Sequence, residues 1–252
     1  MTRLKSLSML FAAADGFPDR GGFHFTADIG AEGAGAARKS ASIDYSAYID
    51  LFEGNNYTGK WTRVYKNIDL NCLVATPAYD INDQISSART SPGATVNLCA
   101  AHSWGGGCQA ISGGRPYLSQ SGFDNVTSSL VWGEVPGFPN GGNTACANTT
   151  SPCVEFWDAV NYSGSRLSLA RPLEFNDLRY TPGGNWNDAI SSVKLFNGAT
   201  VRIYDAHSWG MGYVDVTTSI PDLRDYGFND RTTSISFMGS IDPASFNPRG
   251  IP

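Results

Sequence analysis

Asn82-Asp83-Gln84-Ile85-Ser86-Ser87 returns 105 positions later as Asn187-Asp188-Ala189-Ile190-Ser191-Ser192. A second phrase of the same make, Asp124-Asn125-Val126-Thr127-Ser128-Ser129, returns at the same offset as Asn229-Asp230-Arg231-Thr232-Thr233-Ser234. Gly59 and Gly164 keep that spacing, as do Glu53 and Asp158 and the pentapeptide AHSWG at 101–105 and 206–210. An offset held with no insertion or deletion means two copies of one domain. Each phrase is a cluster of carboxylate, amide and hydroxyl oxygens with no His or Cys inside it. That donor set suits a hard cation, calcium before zinc or copper.

Working outward from the phrases, the first domain is expected over 48–133 and the second over 153–239. Residues 134–152, rich in Gly, Pro, Asn and Thr, read as a linker, and 240–252 as a tail. Residues 1–47 read as a flexible leader, aperiodic and rich in Gly and Ala. Its first 14 residues run basic, then apolar, then small, which is the order of a signal peptide, although the apolar part is short. Secretion and a cytoplasmic location both fit this sequence.

Ala94–Leu98, Ser192–Phe196, Thr200–Tyr204 and Thr233–Phe237 alternate apolar and polar residues. Val96, Leu98, Val193, Leu195, Val201, Ile203, Ile235 and Phe237 would face inward, the pattern of half-buried antiparallel strands. Several such strands per copy suggest an all-β sandwich of two sheets. The one helix-like stretch is Pro221–Asp225, about one turn. With 28 glycines among 252 residues and a net charge of -5, the chain has turn-rich composition and no basic stripe. The charge argues against a nucleic-acid partner. No apolar run reaches the roughly 18 residues of a membrane-spanning helix.

Each half of each copy opens with an aromatic hairpin. Phe52-x4-Tyr57-x-Gly59 is the first and Trp157-x4-Tyr162-x-Gly164 the third. The second carries Cys99, Trp104 and Gly106; the fourth carries Tyr204 and Trp209, with Met211 where glycine is expected. Glycine there allows positive φ, and the first aromatic packs across the fold. Four such hairpins, each followed by an N/D-N/D-x-x-S/T-S phrase, resemble the βγ-crystallin family over nearly all of residues 48–239. A two-domain chain of this size is similar to the fruiting-body crystallins of fungi. The resemblance implies two tandem domains, each made of two intercalated Greek keys, and calcium bound at the phrases.

It also implies a ligand set in which the two phrases of a domain complete each other. The first domain would use Asp83, Gln84 (carbonyl) and Ser86 with Asn125, Val126 (carbonyl) and Ser128. The second would use Asp188, Ala189 (carbonyl) and Ser191 with Asp230, Arg231 (carbonyl) and Thr233. Glu53, Ala100, Asp158 and Asp205 would add hairpin oxygens, Ala100 through its carbonyl alone. The second domain holds more formal charge at these positions and is expected to bind calcium (Ca2+) more tightly. Of Arg231 only the backbone is required.

Cys99 and Cys108 map together onto Tyr204 and Tyr213 and flank a hairpin loop, so a Cys99–Cys108 disulfide is expected in an oxidising compartment. Cys146 and Cys153 would then close the linker and leave Cys72; the alternative is five thiols in a reducing cell. Asn56, Asn125, Asn148 and Asn161 begin glycosylation sequons, and a glycan on Asn125 would block its metal role. His102 and His207 stand beside Trp104 and Trp209 in AHSWG, either at a fold-stabilising hairpin tip or in an exposed sugar-binding loop. No nucleophile, zinc-protease, phosphate-loop or dinucleotide pattern occurs. The reading is therefore a non-enzymatic calcium-binding protein, structural or stress-related, a monomer with paired domains. Its rival is a secreted interaction module of the same fold: toxin, enzyme inhibitor or carbohydrate binder.

Overall fold

The structure, a computed structural model, describes residues 44–74, 76, 79–138, 145–170 and 173–237. Residues 1–43 of the leader, the tail and part of the linker lie outside the described residues, and 44–47, read with the leader, form the start of β1. The described strands are β1 (Asp44–Gly54), β2 (Thr58–Lys66), β3 (Ser87–Thr90), β4 (Thr95–Cys99), β5 (Cys108–Ser112), β6 (Gly114–Arg115) and β7 (Ser129–Trp132) in the first half. The second half has β8 (Cys153–Ala159), β9 (Ser163–Leu169), β10 (Ser192–Phe196), β11 (Val201–Tyr204), β12 (Tyr213–Val216) and β13 (Ser234–Ser236).

One sheet of the first half runs β2-β1-β3-β6 and the other β5-β4-β7. β6 comes from the second hairpin unit yet pairs with β3 of the first. In return Leu70, between β2 and β3, bridges to Leu130 of β7. Each unit thus pairs backbone into the other's sheet, by strand β6 in one direction and by the Leu70 bridge in the other, which makes two intercalated Greek keys. The second half repeats this with sheets β10-β8-β9 and β12-β11-β13. There Phe175 bridges to Ile235 and Ile220 to Val193. The fold is all-β, two such sandwiches in tandem.

Alternation places the core as period two demands. Ile49, Leu51, Val64, Val96, Leu98, Ile111 and Leu130 fill the first sandwich, and Val154, Phe156, Leu167, Val193, Ile203, Val214 and Ile235 the second. Leu195 and Phe237, expected inside, are partly buried and pack against the second core. The expected helical turn is present at Leu223–Tyr226, and a repeat-equivalent one at Leu118–Ser121 accompanies it.

The two halves meet through repeat-equivalent residues. Asn71 and Asn176 are fully buried. The Asn71 amide donates to the Asp177 carbonyl at 2.8 Å, and the Asn176 amide to the Cys72 carbonyl at 2.7 Å. Their side-chain oxygens accept in turn from Asp177 N–H and Cys72 N–H. Each side chain pairs like a short piece of backbone across a local two-fold, so no polar atom of either amide is buried unpaired.

The AHSWG loops close this junction. Ser103 N–H donates to the Asn71 carbonyl and Ser208 N–H to that of Asn176, both at 2.8 Å. Trp104 and Trp209 are 3% and 2% exposed. Trp104 packs edge-on against Phe175 of the other half, centroids 5.2 Å apart, while Tyr204 and Trp209 join the core of the first half. This burial removes the exposed surface that a sugar-binding Trp loop requires. His102 lies against Tyr180, and His207 Nδ1 is 3.4 Å from Asp177 Oδ1. Burial, its largest influence, pushes the His207 imidazole below its ordinary range against the opposing pull of Asp177.

Candidate functional site

The four oxygen-rich phrases adopt one geometry. Their second residues, Asp83, Asn125, Asp188 and Asp230, all lie in the left-handed region with φ of 53°, 55°, 54° and 52°. Asn and Asp enter that region more readily than other side chains bearing a Cβ, which explains the restriction at this position. Each second residue also gives its N–H to the fourth residue of the partner phrase. Asp83 pairs with the Thr127 carbonyl and Asn125 with that of Ile85; Asp188 pairs with Thr232 and Asp230 with Ile190, all at 3.0–3.1 Å. The phrases of one half are bound to each other, not merely near.

The side chains follow the same exchange. The fifth-position hydroxyl of one phrase reaches the second-position oxygen of the other. Ser86 Oγ lies 3.4 Å from Asn125 Oδ1, and Ser128 Oγ 3.1 Å from Asp83 Oδ1. In the second half Ser191 Oγ lies 3.1 Å from Asp230 Oδ1, and Thr233 Oγ1 3.3 Å from Asp188 Oδ1. In three phrases the first residue orients the second: Asn82, Asn187 and Asn229 donate their amides to Oδ2 of Asp83, Asp188 and Asp230 at 2.6–2.8 Å. The other carboxylate oxygen is thereby aimed at the partner phrase.

The hairpins arrive by the fifth-position N–H groups. Ser86 donates to the Phe52 carbonyl, Ser128 to Cys99, Ser191 to Trp157 and Thr233 to Tyr204. The next residue in each hairpin is Glu53, Ala100, Asp158 or Asp205, so all four expected hairpin positions stand beside a phrase. The Asp158 carbonyl accepts from Ser191 Oγ at 3.1 Å, and its Oδ1 accepts from Ser165 N–H at 2.7 Å. A Cβ on Gly164 would come within 2.0 Å of that Oδ1, so the hairpin glycine makes room for the carboxylate as well as for its own φ of 83°.

The sixth-position serines have a role the sequence reading did not assign. Ser87, Ser129, Ser192 and Ser234 are fully buried. Each hydroxyl donates to a hairpin carbonyl, at Gly54, Ala101, Ala159 and Ala206 respectively. Each accepts from the N–H of the hairpin aromatic, Tyr57, Trp104, Tyr162 or Trp209. That aromatic and the residue before it are themselves left-handed in all four hairpins. A side chain of the serine's length ties the folded hairpin to the phrase. The signal was the serine's invariance across the four copies.

Donor chemistry and burial fit a cation. Asn82 Oδ1, Asp124 Oδ1, Asn187 Oδ1, Glu53 Oε1 and Asp205 Oδ1 are buried with no hydrogen-bond partner. An acceptor buried without a donor costs about 1–3 kcal/mol, a cost that a bound cation removes. No group of three His, Cys, Asp or Glu side chains that could hold a metal occurs among the described residues. Each candidate site offers two carboxylates at most and depends on hydroxyl, amide and carbonyl oxygens for the rest. Glu53 also faces Tyr79, whose phenol is pushed up to about 12, by burial first and the Glu53 charge second.

The candidate sites differ in charge. Glu53, Ser86 and Asn125 form one with a single carboxylate; Ala100, Ser128 and Asp83 form another. Asp158, Ser191 and Asp230 supply two carboxylates, as do Asp205, Thr233 and Asp188. In the last, Arg231 intrudes: its guanidinium bonds Asp205 Oδ2 at 2.7 Å. Treating Arg231 as backbone alone missed this contact.

The expected Cys99–Cys108 and Cys146–Cys153 disulfides are both present. Cys72 is buried and belongs to neither.

No protein-family model matches the sequence, and no curated protein matches it. Solved structures similar to it include a βγ-crystallin domain from Clostridium beijerinckii, with 28% identity over 33% of this chain and 94% of that one, TM-score 0.30. Protein S complexed with calcium shows 21% identity over 75% of this chain and 98% of its own, TM-score 0.31. A βγ-crystallin from an archaeon shows 23% identity over 34% and 96%, TM-score 0.29.

Proposed function

We propose, from a chain with the βγ-crystallin fold, that it is a non-enzymatic calcium-binding member of that family, with two calcium sites in each domain and calcium stabilising the fold. The observation that carries this is the fourfold exchange of a fifth-position hydroxyl with a second-position oxygen of the partner phrase. It leaves hard oxygen donors converging from two turns and a hairpin, which is how a cation needing six to eight oxygens is served by a small domain. Waters would complete each shell. The presence of calcium in the Protein S structure agrees with this reading.

The turns are fixed by their own backbone bonds, so metal would find the donors already placed. The role that follows is stabilisation of a structural or stress protein. Calcium at 100 times its dissociation constant adds about 2.7 kcal/mol per site. Several loaded sites then rival the whole stability of a small domain, about 5–15 kcal/mol. The domains act as a pair within a monomer.

The test is a thermal melt of the full chain in calcium and in chelator, with calorimetry to count ions. The expected outcome is a large upward shift in calcium with little change in the circular dichroism spectrum. Identical melts in calcium and chelator would remove the reading.

A further inference from the structure

The fourth phrase carries a cation of its own. Arg231 Nη2 lies 2.7 Å from Asp205 Oδ2, and Arg231 Nη1 donates to the Gly227 carbonyl at 2.9 Å. The guanidinium also sits over the Phe228 ring, 5.5 Å from its centroid. The Asp205 side chain is only 10% exposed, and its other oxygen, Oδ1, is buried without a partner. Third-position residues elsewhere do nothing comparable: Val126 and Ala189 carry no charge, and Gln84 turns its amide to the Asp80 carbonyl.

We propose that Arg231 is a resident counter-ion that sets the affinity of the fourth site. It holds Asp205 in the metal-free protein and weakens calcium binding there, so that the site of Asp158, Ser191 and Asp230 is the tightest of the four. The inference rests on the calcium reading and refines it. Calcium arriving at Asp205 must either displace the guanidinium or share one carboxylate with it. In both cases the site acts with one negative charge fewer than its two carboxylates suggest. Charge-assisted bonds from a planar guanidinium are about twice as strong as neutral ones, but the half-exposed Arg231 side chain is screened by water. The expected handicap is about five- to tenfold in affinity.

The experiment is calorimetric titration of the full chain with calcium alone, for the wild type and for Arg231→Gln, Arg115→Gln and Asp158→Asn. Arg115 is exposed on β6 of the first half, so its variant makes the same change in net charge away from the fourth site. Arg231→Gln should tighten one class of sites about five- to tenfold, and Arg115→Gln should not. Asp158→Asn should remove the tightest class. Melts give a second readout: Arg231→Gln should melt below the wild type in chelator, having lost the ion pair, yet gain more from calcium. A purely structural arginine gives only the loss. Equal tightening by Arg231→Gln and Arg115→Gln, or no tightening while the wild type binds calcium, overturns the inference and leaves the calcium reading standing. Retention of the tightest class in Asp158→Asn overturns the ranking. Absence of calcium binding in every protein overturns both.

Discussion

The two halves build the same hairpins and close them with different chemistry. The cross-strand pair that follows each hairpin is Phe52 opposite Trp61 and Cys99 opposite Cys108 in the first half. In the second it is Trp157 opposite Arg166 and Tyr204 opposite Tyr213. One pair is stacked rings at 5.9 Å, one a disulfide, one a cation over an indole at 5.4 Å, and one tilted rings at 6.0 Å. That slot tolerates any adhesive pair. The left-handed residues of the phrases and the buried sixth serines do not vary in this way. The difference separates what the frame demands from what each half is free to change, and the charge of the candidate sites belongs to the second kind.

The largest effect should come where the halves are equal. Trp104 and Trp209 each bury an indole in the junction and donate Nε1–H to a strand carbonyl, Leu130 at 2.7 Å and Ile235 at 3.0 Å. Trp104→Ala and Trp209→Ala should each cost about 3–5 kcal/mol in denaturant unfolding, within error of each other. A negligible cost at either position would break the local two-fold at its centre.

Next comes a place where the halves differ. Replacing Cys99 and Cys108 with alanine opens a short loop, and the first half should lose about 2–3 kcal/mol. Tyr213→Ala, in the corresponding slot of the second half, should cost about 1 kcal/mol, since that ring is only partly buried. Equal costs would mean that the disulfide adds nothing beyond side-chain contact.

The calcium comparison can be exchanged by single residues. Asp230→Asn gives the third site the amide that Asn125 gives the first, and calcium there should weaken roughly tenfold. Asn125→Asp should make the opposite change in the first half. Calorimetry on the full chain reads both. If neither variant alters affinity, formal charge at the second position is not what ranks the sites.

Much of this frame was legible because it is repeated. The 105-residue offset located both halves, the four phrases and the pairing of Cys99 with Cys108. Met211 stood out in the same way. The phrases could be read as reciprocal only through the family resemblance, since nothing in one hexapeptide names its partner. The junction stayed hidden although its asparagines, Asn71 and Asn176, obey the offset. A lone buried Asn has no periodic signal, and its partners are backbone atoms of the other half. The turn at Leu118–Ser121 was missed for a local reason. Its equivalent is announced by Asp222, whose side chain accepts from Arg224 N–H, whereas Tyr117 at the same place offers no side-chain cap. The Arg231–Asp205 contact stayed hidden because a sequence does not give the direction of a long side chain.

The smallest effect tests the one hairpin that departs from glycine. Gly59, Gly106 and Gly164 take φ of 79°, 73° and 83°, and Met211, a residue 78% exposed, takes 59° in the fourth hairpin. A residue with a Cβ pays about 1–2 kcal/mol for that region, and an exposed side chain returns little by packing. Met211→Gly should therefore stabilise the second half, by about 0.5–1 kcal/mol once the greater freedom of glycine in the unfolded chain is set against the relief. The reverse exchange is not its mirror image. A Cβ on Gly106 would lie 2.9 Å from both Ala101 N and Ala101 Cβ, so Gly106→Met meets a wall as well as an unfavourable φ. It should cost about 2 kcal/mol or more. Melts in chelator keep metal out of both measurements. Destabilisation by Met211→Gly would show that the methionine makes a contact worth more than its backbone strain, and that the fourth hairpin departs from the others by use and not by tolerance.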